Sequence, residues 1–267
     1  MTGTMATPGA LPPGLRLVRR LPLLALVVAV AAAVLLAAGP LGWRAGWWHF
    51  RIGFFYLMPW AAYCGLAAVA VALLALVVGR RINGAPQIAI SILALAIGAG
   101  IAYVPWHYSQ MRGVYPSIHD ITTDWDNPPE FRAIVPLRQA EGANPVAYEG
   151  AKVSAEQRRA YPDIAPLTLD LAPGEAFARA LKTAEQLGWT IVASDPPTDS
   201  GAGRIEASQR SRWFGFTDDV VVRVAAADRG SRVDLRSVSR WGRGDFGVNA
   251  ARVRSFLAAL RAAAPSR

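Results

Sequence analysis

The sequence predicts an α+β protein in two parts: three N-terminal transmembrane helices, then a soluble domain with an antiparallel sheet and two helices in two layers. Three observations carry this. Three long runs in the first 105 residues contain no charged side chain, whereas all 19 acidic residues lie at or after Asp120. Composition changes at Trp106, where polar and turn-forming residues begin. Beyond that point the pattern reads strand, helix, several consecutive strands, helix, the order of a sheet with helices on one face.

The apolar runs are residues 21–41, 54–78 and 86–104. At 1.5 Å per residue, about 20 residues of helix cross a hydrocarbon core of about 30 Å. A cleaved signal peptide is the alternative for the first run, with Arg16, Arg19 and Arg20 as its basic start, but the run is long and two more follow. The organisation expected is a cytoplasmic tail (1–20), a three-helix anchor (21–105), a linker (106–116) and an extracytoplasmic domain (117–267).

The arginines set the orientation. Five (Arg16, Arg19, Arg20, Arg80, Arg81) flank one side of the spans and two (Arg44, Arg51) the other, which places the tail and the second loop in the cytoplasm. Trp43, Trp47, Trp48, Tyr103, Trp106 and Tyr108 gather at the opposite interface, where amphipathic rings settle. Intramembrane charges mark ion and proton paths, and these spans lack them, so they read as an anchor. His49, in the aromatic loop, has no intramembrane histidine partner for a haem or quinone site. The lone cysteine, Cys64, falls in a span, which removes disulfides, thiol nucleophiles and thiolate metal sites from the domain.

The formal net charge is +9, yet residues 106–267 carry 21 basic and 19 acidic side chains, so most of the excess flanks the spans. It reports topology, and nucleic acid is not expected as a partner. Residues 106–203 carry 8 basic and 13 acidic groups and residues 204–267 carry 13 and 6, so the C-terminal half either faces anionic lipid or neutralises its neighbour.

Within the domain, residues 117–131 form a turn-rich segment, and a polar stretch of little periodicity continues to about Tyr161. A structureless segment of that length is functional or wraps the surface. A short strand is expected near residues 167–171. Pro173 and Glu175 then open a helix with Phe177, Leu181 and Ala184 on one face and Gly188 as its stop. Residues 189–193 and 203–212 read as strands, and a final helix over 248–263 places Val253, Phe256, Leu257 and Leu260 on one side.

The richest stretch is residues 218–249, a hairpin and turn. Val220, Val222 and Val224 share one face of its first strand; Val233 and Leu235 share one face of the second. One register that keeps them together opposes Arg223 to Arg236. The other opposes Arg223 to Asp234, leaves Ala227–Gly230 as the loop, and gains a cross-strand charge pair of roughly 0.2–1 kcal/mol. In the favoured register Asp219 lies diagonally between Arg236 and Arg240, and Asp218 points to the other face, opposite Ser239. Neighbours on a strand diverge, so Asp218 and Asp219 do not make a carboxylate dyad.

Asp219, Arg223, Arg236 and Arg240 are the candidate anion-binding site, the arginines acting as fork donors; the plainer reading is a salt-bridged sheet face. His119, Asp120 and Asp124 form a second candidate cluster, whose spacing matches no zinc or calcium motif and whose neighbours, Asn127-Pro128-Pro129, suggest a turn. Asp245 reads as a cap of the last helix. Ser237 and Ser239 have no nearby histidine for a nucleophilic triad. Trp213, Phe214 and Phe216 read as core, as an exposed hairpin tip, or as a ligand- or membrane-contacting tip. No metal, cofactor or catalytic residue is assigned.

The stretches HDITTDWDNPPEF, YPDIAPLTLDL, LGWTIV, GRIEASQRSRWFGFTDDVVVRV and RVDLRSVSRWGRGDFGVNAARVRSFL, in this order, resemble domain-of-unknown-function family 1499 of bacteria and plastids. The resemblance runs from residue 117 to about 260, and residues 134–160 match least. It implies a membrane-associated domain, N-terminal spans being one arrangement of that family, and it supplies no reaction, cofactor or catalytic set.

The function expected is that of a multi-pass protein of the bacterial cytoplasmic membrane. Its extracytoplasmic domain binds a ligand, lipid headgroup or envelope protein without catalysis. A hydrolase using the Asp218, Asp219 and Arg240 region, or completed by His119, is the alternative; an assembly factor acting through its spans is a third class.

Overall fold

The computed structural model describes residues 12–111 and 113–263. The rest of the expected cytoplasmic tail, Arg112 and residues 264–267 lie outside the described residues. The chain divides into two compact units, Met1–Gln110 and Met111–Arg267.

The first unit contains three helices long and apolar enough to cross a membrane: α1 (Pro13–Arg44), α2 (Phe50–Gly79) and α3 (Ala85–Met111). They cover the three apolar runs and extend past them; α3 continues through most of the expected linker. Small residues make the contacts. Ala25, Ala29, Ala68, Ala72 and Ala94 are fully buried between the helices, as expected where packing rather than water drives association. A Cβ on Gly65 would lie 2.7 Å from the Gly98 carbonyl oxygen, and one on Gly98 equally close to that of Gly65, so only glycine permits this approach. Near its start α2 contains a π turn (Gly53–Leu57), in which the Met58 N–H reaches back to Gly53 O.

The second unit is α+β. Its strands are β1 (Asp120–Thr122), β2 (Leu167–Leu169), β3 (Thr190–Asp195), β4 (Gly203–Arg210), β5 (Thr217–Ala226) and β6 (Ser231–Ser239). All pairings are antiparallel, in the order β1-β6-β5-β4-β3, and β2 also pairs with β6. The hairpin register is the one that charge pairing favours: Val222 faces Leu235, Arg223 faces Asp234, Val224 faces Val233 and Asp218 faces Ser239. Gly230 closes its loop at φ 76°, where a Cβ would meet the Leu169 carbonyl oxygen at 2.2 Å.

On one face lie α6 (Pro173–Gln186) and α7 (Val248–Ala263). Val220, Val222 and Val224 of β5, Val233, Leu235 and Ile205 meet Phe177, Ala180, Val253, Phe256 and Leu260 in the main core. The Trp189 and Phe256 rings stack with centroids 5.1 Å apart. Leu181 and Leu257, expected in the core, pack at its margin. Phe214 is buried and stacks on Phe216 at the β4–β5 turn, with Trp213 edge-on to it.

Two expectations need correction. The stretch called aperiodic contains α4 (Ile134–Glu141) and α5 (Ala151–Ala160). Ile134 and Arg138 share the buried stripe of α4, but Arg138 is charged, so the apolar period is too short to read. The segment also covers the second face of the sheet, which adds a layer: Phe131 and Ile134 pack on Val221 and Val238. Secondly, Thr122, in the segment read as turn-forming, belongs with Asp120 and Ile121 to a short strand, β1. The outer edge of β1 is met by the amide of fully buried Gln157, which accepts from Thr122 N (3.0 Å) and donates to Thr122 O (2.7 Å).

Candidate functional site

Strand alternation sends Arg204, Glu206 and Ser208 of β4, Asp219 and Arg223 of β5, and Asp234, Arg236 and Arg240 around β6 to the face that α4 covers. Asp219 is fully buried at its centre. Its Oδ1 accepts from Ser208 Oγ (2.7 Å) and Arg240 Nη2 (2.8 Å), and its Oδ2 from Arg240 Nε and Arg138 Nη1 (both 2.9 Å). Four donors fill the acceptor sites of one carboxylate. The other end of Arg240 donates to Glu141 Oε1 at 2.6 Å, so two guanidiniums balance two carboxylates. Burial pushes the Arg138 pKa down, and the Asp219 charge opposes that shift.

Glu206, also fully buried, holds the start of α4. It accepts the backbone N–H groups of Arg132 (2.8 Å), Ala133 (3.1 Å) and Ile134 (2.9 Å), donors that a helix N-terminus leaves unpaired. Helix α4 is therefore fastened to the sheet at its start by Glu206, in its middle by Arg138–Asp219 and at its end by Glu141–Arg240.

The other candidates lie outward from this centre. Arg223 donates to Asp124 (2.8 Å) and Asp234 (2.9 Å), and Arg232 contacts the same two carboxylates. Arg236 grips Asp120 with Nε (2.9 Å) and Nη2 (2.7 Å), donates to Val146 O (2.7 Å), and lies between the Phe131 and Tyr148 rings at 5.5 and 5.3 Å. His119, Asp120 and Asp124 thus have three different settings. Asp120 serves Arg236, Asp124 serves Arg223 and Arg232, and the His119 Nδ1 lies 3.4 Å from the Arg243 carbonyl oxygen. Among the described residues no group of three or more His, Cys, Asp or Glu side chains could hold a metal ion.

Asp218 points to the opposite face, as strand geometry requires, and pairs with Arg252 of α7 at 2.7 Å. Arg252 also donates to Gln209 and Ser237, and Asn249 ties Ser237 and Ser239 to the helix. Both serines are thereby engaged in structural bonds. Asp245 accepts from Gly247 N (2.9 Å) and Asn249 N (2.6 Å), the cap expected of it. Burial raises its pKa, and the two backbone donors oppose the rise. A raised folded-state pKa means a stability contribution present below the unfolded value of about 3.9 and lost as pH rises through the folded value. Urea titrations of wild type and Asp245→Asn from pH 7 to pH 4 are expected to show their difference moving toward wild type as pH falls; a pH-independent difference would contradict this.

Three clefts touch the predicted residues. His119 and Asp120 line one of about 490 Å³ with Lys152, Glu156 and Arg243. Arg223 lines one of about 450 Å³ with Arg132 and Arg204. Arg236 lines one of about 540 Å³ with Trp125, Pro128, Phe131, Val146 and Tyr148. The last two share Asn127, Pro128 and Glu130, so this turn separates them. Asp219 and Arg240 lie beneath α4, each under a twentieth exposed.

Sequence reasoning missed Arg138, Glu206, Arg252 and Tyr148. Glu206 was accessible: the alternation that placed Asp219 extends across β4, where Ser208 opposes Asp219 and Glu206 opposes Val221. Arg138 and Tyr148 lie in the segment without readable period and carried no signal.

No curated protein and no solved structure matches the chain. The sequence model of the family described as "Protein of unknown function (DUF1499)" matches residues 120–260, which spans β1 to the last turns of α7 and every residue of the two clefts beside the Asn127–Glu130 turn; the chain belongs to this family.

Proposed function

We propose that the protein is a membrane-anchored binding module whose soluble domain, held outside the cytoplasm of a bacterial cell, takes a small ligand in the cleft beside Arg236 without transforming it. One observation carries the reading: Arg236 is almost fully buried and yet lines an accessible, ring-walled cleft of about 540 Å³, a size within the roughly 300–1,000 Å³ range of ligand pockets. The carboxylate an enzyme would most need, Asp219, has its acceptor sites filled by Ser208, Arg138 and Arg240. The five-to-two arginine bias and the aromatic belt support the orientation.

The test is thermal unfolding of the full chain in nanodiscs, scanned against envelope metabolites, lipid headgroups and an ester and phosphate substrate panel. A ligand at about 100 times its Kd adds about 2.7 kcal/mol, which is expected to raise Tm by roughly 5–10 °C with no product formed. Turnover of any panel substrate, or no shift throughout, would overturn the module. A C-terminal alkaline phosphatase fusion is expected to be active; silence would reverse the orientation.

A further inference from the structure

We propose that the Arg236 cleft is a site for a small apolar monocarboxylate, whose ring or chain lies among Trp125, Phe131, Val146 and Tyr148 and whose carboxylate accepts from Arg236, Tyr148 and Trp125. This rests on the binding-module reading and names its ligand class.

Residues that line the cleft carry buried donors without partners. Tyr148 Oη and Trp125 Nε1 are buried atoms with no hydrogen-bond partner among the described residues. An indole N–H can only donate. Burial, with the nearby Asp120 charge, pushes the Tyr148 pKa up to about 12, which keeps its hydroxyl protonated and able to donate. Arg236 commits Nε and Nη2 to Asp120 and Val146 O, whereas among the described residues Nη1 reaches only Pro129 O, at 3.4 Å. Within that set one Nη1 hydrogen has a weak acceptor and the other has none. A buried donor without a partner is destabilising, so an acceptor that satisfies several at once is favoured.

The surroundings narrow the acceptor. Asp120 already neutralises Arg236, and Asp126 and Glu130 stand exposed on the rim, so a multiply charged phosphate meets like charges. A single carboxylate matches the fork geometry of a guanidinium with less repulsion. Pro128, Phe131 and Val146 line the cleft and offer apolar surface to the remainder of the molecule.

The probe is 2-naphthoate, with 2-naphthalenemethanol as its uncharged counterpart, titrated calorimetrically into the full chain in nanodiscs with empty nanodiscs subtracted. Saturable naphthoate binding is expected, at least about tenfold tighter than the alcohol, since hydrogen bonds to a charged group contribute about 1.5–3 kcal/mol. Tyr148→Phe keeps the ring beside Arg236 and removes only the hydroxyl; it is expected to weaken naphthoate about tenfold and leave Tm unchanged or slightly raised. Trp125→Phe supplies the same comparison should Tyr148→Phe unfold. No saturable binding, equal binding of acid and alcohol, or wild-type affinity in a folded Tyr148→Phe protein would overturn the proposal. If naphthoate fails while another compound in the thermal scan binds, the ligand class is wrong and the module stands; if nothing binds, both fall.

Discussion

Replacing Asp219 with alanine is expected to lower the unfolding free energy of the soluble domain by about 3–5 kcal/mol, the range seen when one partner of a buried ion pair is removed. The effect comes from what remains. Arg138 and Arg240 keep their charges at 2% and 5% side-chain exposure, and the ion pair left to them is that of Arg240 with half-exposed Glu141. Asp219→Asn is expected to recover only part of the loss, because the amide retains one acceptor oxygen but no charge. Adding Arg138→Met to Asp219→Asn should restore stability, since it removes an orphaned cation and leaves an apolar side chain in its place. Urea unfolding of the membrane-reconstituted chain, followed by the near-ultraviolet signal of the domain, measures all three. A loss below about 1 kcal/mol for Asp219→Ala would show that the carboxylate is not holding the face together. A cellular phenotype for a variant of unchanged stability would return Asp219 to the list of functional groups.

Glu206→Ala is expected to have an effect of similar size, about 3–5 kcal/mol, because three backbone donors at the start of α4 lose one fully buried acceptor. Hydrogen exchange should identify the mechanism. The amides of Arg132, Ala133 and Ile134 are expected to lose protection first and the rest of α4 next, while β5 and β6 remain protected. Glu206→Gln keeps a carbonyl oxygen and is expected to cost about 1–2 kcal/mol. Glu206 and Asp219 hold the same short helix from different points, so the double variant should deviate from additivity by about 0.5–3 kcal/mol. Uniform loss of protection across the sheet, rather than local loss at α4, would show that Glu206 supports the core instead of the covering segment.

The same helix bears on the ligand cleft. Phe131, which precedes α4, contributes both to the small core on Val221 and Val238 and to the wall beside Arg236. A variant that loosens α4 should therefore weaken 2-naphthoate as well, whereas Tyr148→Phe should weaken it without altering stability. That contrast separates loss of the wall from loss of a donor.

The three long apolar helices, the presence of strands β2 to β6, the last two helices and the hairpin register were legible in the sequence alone. Each rests on a local, repeating signal: an uninterrupted apolar run, a period of two, a helical stripe or a cross-strand charge pair. The sequence also separated Asp218 from Asp219, because successive strand side chains diverge whatever packs on them. The fate of the polar face was settled by contacts between distant segments. Arg138, Glu141, Asp120, Asp124 and Tyr148 come from 81 to 116 residues away along the chain to meet Asp219, Arg223, Arg232, Arg236 and Arg240. No periodicity in one segment encodes a partner in another. The covering segment meets the sheet through charge pairs, backbone caps and a small apolar patch at Phe131 and Ile134, too short to leave a hydrophobic period. The arginines that looked like one anion site are therefore divided: Arg240 is locked with Asp219 beneath α4, Arg223 is held between two carboxylates, and Arg236 retains donors at the wall of a cleft.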